Sequence, residues 1–156
     1  MLEGLQDWVD GAPSVLQWLA IAAASAIPFV ESYFGSVIGV LAGVPPVVAI
    51  LAAIVGNVGS MIVFVAVAAS ARAKTGVDAK PLSPRRERLK RSFDRWGVPG
   101  VSLLGQTVLP SQITSAAMVG FGASQRQVIV WQIVSIVMWG VVFGALAAVG
   151  VTALTA

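Results

Sequence analysis

Cysteine and histidine are both missing from this chain, and with them go disulfides, thiolate nucleophiles, imidazole bases and the usual transition-metal ligands. Charge is scarce too: 11% of the 156 residues are charged and 57% are hydrophobic, where a soluble domain carries about a quarter charged residues. No glycine-rich phosphate loop, metal-ligand cluster or nucleophile paired with a base can be read from the sequence. An enzyme therefore has little to stand on, and no cofactor or metal is implied. Positive charge is also lacking at the start, MLEGLQDWVDGAP, where Glu3, Asp7 and Asp10 stand in place of the basic residues of a secretory signal. That segment is expected to belong to the mature protein.

Long apolar runs are what the sequence does have. Two of them, about 15–71 and 98–154, flank a basic segment at 72–97. Each is too long for one span of about 20 residues and short for three. The expectation is an all-α integral membrane protein forming a single transmembrane domain over 1–156. Its parts would be a hairpin and a helix at 15–71, a connector at 72–97, and a second hairpin and helix at 98–154.

Val47–Ala71, opening after Pro45–Pro46, reads as a spanning helix. Val15–Val44 is interrupted by Pro28 and Glu31 and followed by Gly35, Gly39 and Gly43 at intervals of four. Proline removes a backbone donor and a carboxylate is costly against lipid, so this stretch reads as a bent or re-entrant hairpin surrounded by protein or water. The glycines would let another helix approach closely. Val98–Gly122 is broken by Gly105 and a polar band around Pro110, comprising Gln106, Thr107, Ser111, Gln112, Thr114 and Ser115, and reads as a second re-entrant hairpin. About Gln127–Leu154, with Gly140 and Gly144, reads as a final span. Pro28 and Pro110 occupy corresponding places, so a duplicated unit is expected. With the basic segment cytoplasmic, the two halves are expected to be inverted with respect to each other, as in many secondary transporters.

The basic connector holds nine of the ten Lys and Arg residues. Leu82, Leu89, Phe93 and Trp96 fall on one helical face, after a Ser83–Pro84 start. Two uses are open: an interfacial helix offering Arg85, Arg86, Arg88 and Arg91 to anionic lipid headgroups, or a topology signal. Nucleic acid is discounted as a partner, because those charges lie between apolar segments.

Glu31 is the acidic residue placed inside an apolar stretch. A carboxyl there can bind and release a proton during transport or pair with a cationic substrate; the alternative is that it sits at an interface or serves the backbone freed by Pro28. Asn57 can bridge helices or meet a substrate headgroup. Gln106, Gln112 and Thr114 could contact substrate beside a half-helix N-terminus that favours an anion, or satisfy their own hairpin. The five tryptophans read as interfacial anchors or packing more readily than as a ligand cage, with Trp139, in the middle of a helix, the one that invites another reading.

Two stretches carry a family resemblance. AIPFVESYFGSVIGV at Ala26–Val40, followed by VGNV at Val55–Val58, resembles the proline–glutamate and glycine–asparagine motifs of the small multidrug export proteins. RWGVPGVSLLGQTVLPSQITSAAMVGFG, beyond the basic segment, resembles that family's second half and the broader DedA, or VTT-domain, superfamily. The resemblance covers roughly Ala26 to Gly150. It implies two re-entrant hairpins, a multi-pass place in the bacterial plasma membrane, and translocation of phospholipids or polyprenyl phosphates, often proton-linked. DedA members place arginines around the second hairpin's proline, where this chain has Gln106 and Gln112.

The expected function is thus a translocase of an amphipathic substrate, with membrane lipids and a lipid-linked or amphipathic small molecule as partners. The alternatives are an efflux protein for lipophilic cations and a membrane scaffold within a larger complex. Glycine-spaced faces also make a homodimer an expectation.

Overall fold

The structure, a computed structural model, describes residues 2–75, 83–105 and 108–155. Among these residues every element is helical: α1 (Leu2–Asp10), a 3₁₀ turn (Ser14–Leu16), α2 (Gln17–Ser25), α3 (Glu31–Leu41), α4 (Pro46–Thr75), α5 (Pro84–Gly105), α6 (Ser111–Phe121) and α7 (Gln125–Thr155). Helix α1 is an element the sequence reading did not anticipate. Its Leu5 and Val9, one turn apart, pack into the core, while Glu3, Asp7 and Asp10 remain exposed.

Among the described residues, two stretches are long and apolar enough to cross a membrane, Pro46–Lys74 in α4 and Gln125–Leu154 in α7. At 30 and 31 residues these two helices are roughly 45 Å long. The helices α2 and α3, of 9 and 11 residues, reach roughly 14 and 16 Å, about half of a 30 Å hydrocarbon layer. They are joined by a tight turn in which the Ile27 carbonyl accepts from Val30 N and Glu31 N. Phe29 (φ 75°) and Glu31 (φ 55°) both take left-handed backbone there, a conformation that costs a side-chain-bearing residue roughly 1–2 kcal/mol.

The second half repeats this order and these lengths. Helix α5 is two pieces, broken at Gly97 (φ 63°, ψ −169°): an amphipathic basic segment to Trp96, then a short limb from Val98 that packs against the 11-residue α6. The change from basic to apolar composition falls at this break. Both α3 and α6 end in the same device. Gly43 (φ 78°) and Gly122 (φ 109°) take the left-handed position, and the next residue's N–H reaches back five residues, Val44 to Gly39 and Ala123 to Met118. Gly43 thus ends a helix and has no atom within 4 Å of where a Cβ would stand. This corrects its expected place in the packing stripe, which only Gly35 and Gly39 occupy.

The chain divides into two compact units, Met1–Gly59 with Ile136–Ala156, and Ser60–Ser135. In the first, the α2–α3 pair meets the beginning of α4 and the end of α7. A Cβ on Gly39 would stand 2.6 Å from Ile21 Cδ1 and 2.8 Å from Ala49 Cβ; one on Gly35 would overlap the Ser25 hydroxyl and stand 3.3 Å from Ala53 Cβ. On the other side, Gly140 accommodates Ser32, and Gly144 accommodates Ser36 and the Ile50 side chain. In the second unit, α5 and α6 meet the end of α4 and the beginning of α7. Arg72 near the end of α4 donates to the Val119 carbonyl at 3.1 Å, in the last turn of α6, beside the bond that carbonyl accepts from Gly122 N.

Candidate functional sites

Polarity lies inside this protein. Ser25, Glu31, Ser32, Ser36, Asn57, Ser102, Ser111, Gln112, Thr114, Ser115, Gln132 and Ser135 are buried, whereas Val47, Leu51, Val55, Val63, Val67, Val141, Leu146 and Val149 on the long helices are exposed.

In the first unit these groups gather about the start of α3. Gly39 faces Ala49 and Gly35 faces Ala53 across the α3–α4 pair. Carried one turn further, that antiparallel register sets Glu31 opposite Asn57. Both side chains are wholly buried. The serines around them differ in what they do. Ser25 and Ser36 turn back onto carbonyls of their own segments, Ile21 at 2.8 Å and Tyr33 at 2.9 Å, while Ser32 reaches across to the Ile136 carbonyl of α7 at 2.8 Å. Ser32 was not singled out from sequence, since a serine next to an acid carries no signal until the helix facing it is known. The Trp139 ring lies tilted against Phe143 at 5.9 Å, and Phe143 meets Tyr33 at 5.7 Å between centroids.

The second unit builds its polar centre on the start of α6. Pro110 is the N-cap and its side chain makes no capping bond. Thr114 Oγ1 lies 3.2 and 3.1 Å from the carbonyls of Pro110 and Ser111, available to accept its proton, and accepts from Gln132 Nε2 of α7 at 3.1 Å. Its hydroxyl therefore serves its own hairpin and joins it to α7. Gln112 Nε2 donates to Ser60 Oγ of α4 at 2.9 Å, a partner the spacing of residues gave no hint of. The Thr114–Gln132 pair fixes the α6–α7 register, which carried one turn toward the start of α6 sets Ser111 opposite Ser135. These are the counterparts of Glu31 and Asn57, with hydroxyls in place of a carboxyl and an amide. The Ser135 hydroxyl is wholly buried and has no hydrogen-bond partner among the described residues, as is also true of Ser102. Gln106 lies outside the described residues, as do Thr107 and Leu82.

On the connector, Arg85, Arg86, Arg88 and Arg91 are all exposed. Arg86 is held over the Phe121 ring, 5.8 Å from its centroid. Of the expected apolar face, Leu89 is buried and Phe93 stands 6.0 Å from Phe121, whereas Trp96 is exposed.

Comparison with family models, with curated proteins and with solved structures finds no match to this chain.

Proposed function

We propose that the chain is a multi-pass membrane translocase for an amphipathic, lipid-linked phosphate such as a polyprenyl phosphate or phospholipid, with Glu31 as the group that takes up and releases the coupling proton. The observation that carries this reading is the inverted distribution of polarity, with a carboxyl and an amide wholly buried in register at a helix break while the long helices expose valine and leucine. A core helix of a soluble protein would be mostly buried, but only 28% of the apolar window of α4 and 22% of that of α7 are covered. Exposed apolar surface on that scale needs lipid or a partner.

In this reading α2–α3 and α5–α6 are re-entrant hairpins, each too short to cross, and α4 and α7 are the spans. The basic connector between them is cytoplasmic by its charge, so the spans cross in opposite directions and the two halves form an inverted repeat. The membrane is the inner membrane of a bacterium. The resemblance to the small multidrug export and DedA families belongs to the same proposal. The start of α6 would receive the phosphate. Helix N–H groups and the Ser135 and Gln112 side chains offer neutral donors there, in place of the arginines of DedA members. No covalent step on the substrate is proposed.

One observation favours a second reading, efflux of lipophilic cations: Glu31 is the buried acid among the described residues and would act as counter-charge. Flux into proteoliposomes under an imposed pH gradient, measured for a polyprenyl phosphate and a lipophilic cation with native protein and Glu31→Gln, tests both. Gradient-stimulated flux of the phosphate, lost in the variant, is expected. Flux of the cation alone would replace the first reading with the second. No flux of either from folded protein would leave a scaffold.

A further inference from the structure

The connector helix Pro84–Trp96 divides its surface three ways. Phe93 and Arg86 are turned to Phe121 of α6, and Leu89 is buried. Lys90 and Asp94 form an ion pair of 2.8 Å on another flank, with Glu87 beside them at helical spacing. The remaining stripe consists of Arg88, Arg91, Ser92 and Arg95, which with Trp96 line an open cleft. At 3.6 residues per turn those first four project within about 100° of one another. All five residues are exposed, Trp96 at 58%. The Arg95 guanidinium stands 4.9 Å from the centre of the Trp96 ring. Among the described residues no carboxylate lines the cleft.

Three guanidiniums on neighbouring turns repel one another unless an anion lies between them, and each offers a planar fork suited to phosphate oxygens. Beside them an indole is exposed, an amphipathic ring that favours the headgroup level of a bilayer. One residue further on, the Gly97 break turns the chain into the hairpin limb, whose Val98 and Val101 are buried. The cleft therefore sits at the entrance of a segment assigned above to the membrane.

We propose that this cleft seats the phosphate headgroups of anionic phospholipids of the surrounding bilayer, with Arg88, Arg91 and Arg95 on the phosphates and Trp96 at the edge of the acyl region. The inference rests on the membrane reading but not on the substrate or on Glu31. A free anion in water would leave the indole exposed and would not use it. The assignment also differs from the one read off charge alone: Arg95 enters, while Arg85 and Arg86, the latter held on Phe121, leave.

The test uses the full chain in phosphatidylcholine vesicles containing either brominated phosphatidylglycerol or brominated phosphatidylcholine. Quenching of Trp96 is taken as the difference between the protein and its Trp96→Phe variant. The expected result is roughly fivefold stronger quenching by the anionic lipid, the attraction of about one engaged cation for an anionic surface. The triple change Arg88→Gln, Arg91→Gln, Arg95→Gln should abolish that preference, and the pair Arg85→Gln, Arg86→Gln should preserve it. Equal quenching by the two lipids, a preference that survives the triple change, or equal loss from the Arg85 and Arg86 pair would overturn the proposal. So would displacement of the preference by inorganic phosphate, which would identify the cleft as a site for a soluble anion. Protein that fails to float with vesicles in high salt would overturn the membrane reading as well; protein that floats without lipid preference would overturn this inference alone.

Discussion

Replacing Gly56 by alanine should be among the most damaging single-methyl changes in this protein. The added Cβ would overlap the Ala22 carbonyl oxygen and stand 2.6 Å from its carbon and 2.7 Å from the Ala22 Cα. All three atoms are backbone of α2, so no rotamer change relieves the overlap; α2 must move away from α4 and take its contacts with α3 along. Inserting one methyl into a packed site costs about 1–3 kcal/mol when side chains can shift, and the upper end applies here. Gly59 supplies the control. It lies three residues further along α4 and has nothing within 4 Å of its added Cβ, so alanine there should be neutral or gain up to about 1 kcal/mol of helix propensity. The two variants should differ by about 3–4 kcal/mol, which for a chain of this size is a gap of about 6–16 °C in Tm. Thermal unfolding in detergent, followed by circular dichroism or tryptophan fluorescence, reads it directly. Variants melting within a degree of each other would refute the α2–α4 approach described here.

Ser135→Ala removes a buried hydroxyl without a partner among the described residues, so it should raise stability by about 1 kcal/mol while lowering lipid-phosphate flux; Ser102→Ala should raise stability and leave flux unchanged. A fall in Tm for Ser135→Ala would mean that its hydroxyl is already satisfied. Gly43→Ala meets open space but must hold φ near 78°, which should cost about 1–2 kcal/mol in chemical or thermal unfolding, and Gly43→Asn should recover part of it. Arg72→Ala gives up the bond to the Val119 carbonyl, a loss of about 1–2 kcal/mol that should appear as faster hydrogen exchange at the end of α6.

The breaks were legible in the sequence because proline, glycine and a lone carboxyl inside an apolar run have local causes. Pro28 with Glu31, Pro110, and the change from basic to apolar composition at Gly97 all fall at ends or breaks of helices. Register was not legible. That Glu31 stands opposite Asn57, and Ser111 opposite Ser135, depends on which small residues of α3 and α6 meet which residues of α4 and α7, and periodicity alone gives the face but not the partner. Gly43 was misread for a related reason: a four-residue spacing continues a stripe on paper, whereas the helix ends before it. Helix α1 escaped because its two packed residues, Leu5 and Val9, are few and its acids dominate the composition.

The hydrogen bond from Ser32 to the Ile136 carbonyl joins residues 104 positions apart, and it sets an order on biosynthesis. The first unit draws one of its walls from Ile136–Ala156, so when residues 17–59 leave the ribosome Ser32, Gly140's neighbour, and Ser36, Gly144's neighbour, have no surface to close against. Residues 17–59 must therefore wait in a partly open state until residues 136–156 have been made, while the second unit, continuous from Ser60 to Ser135, can finish first.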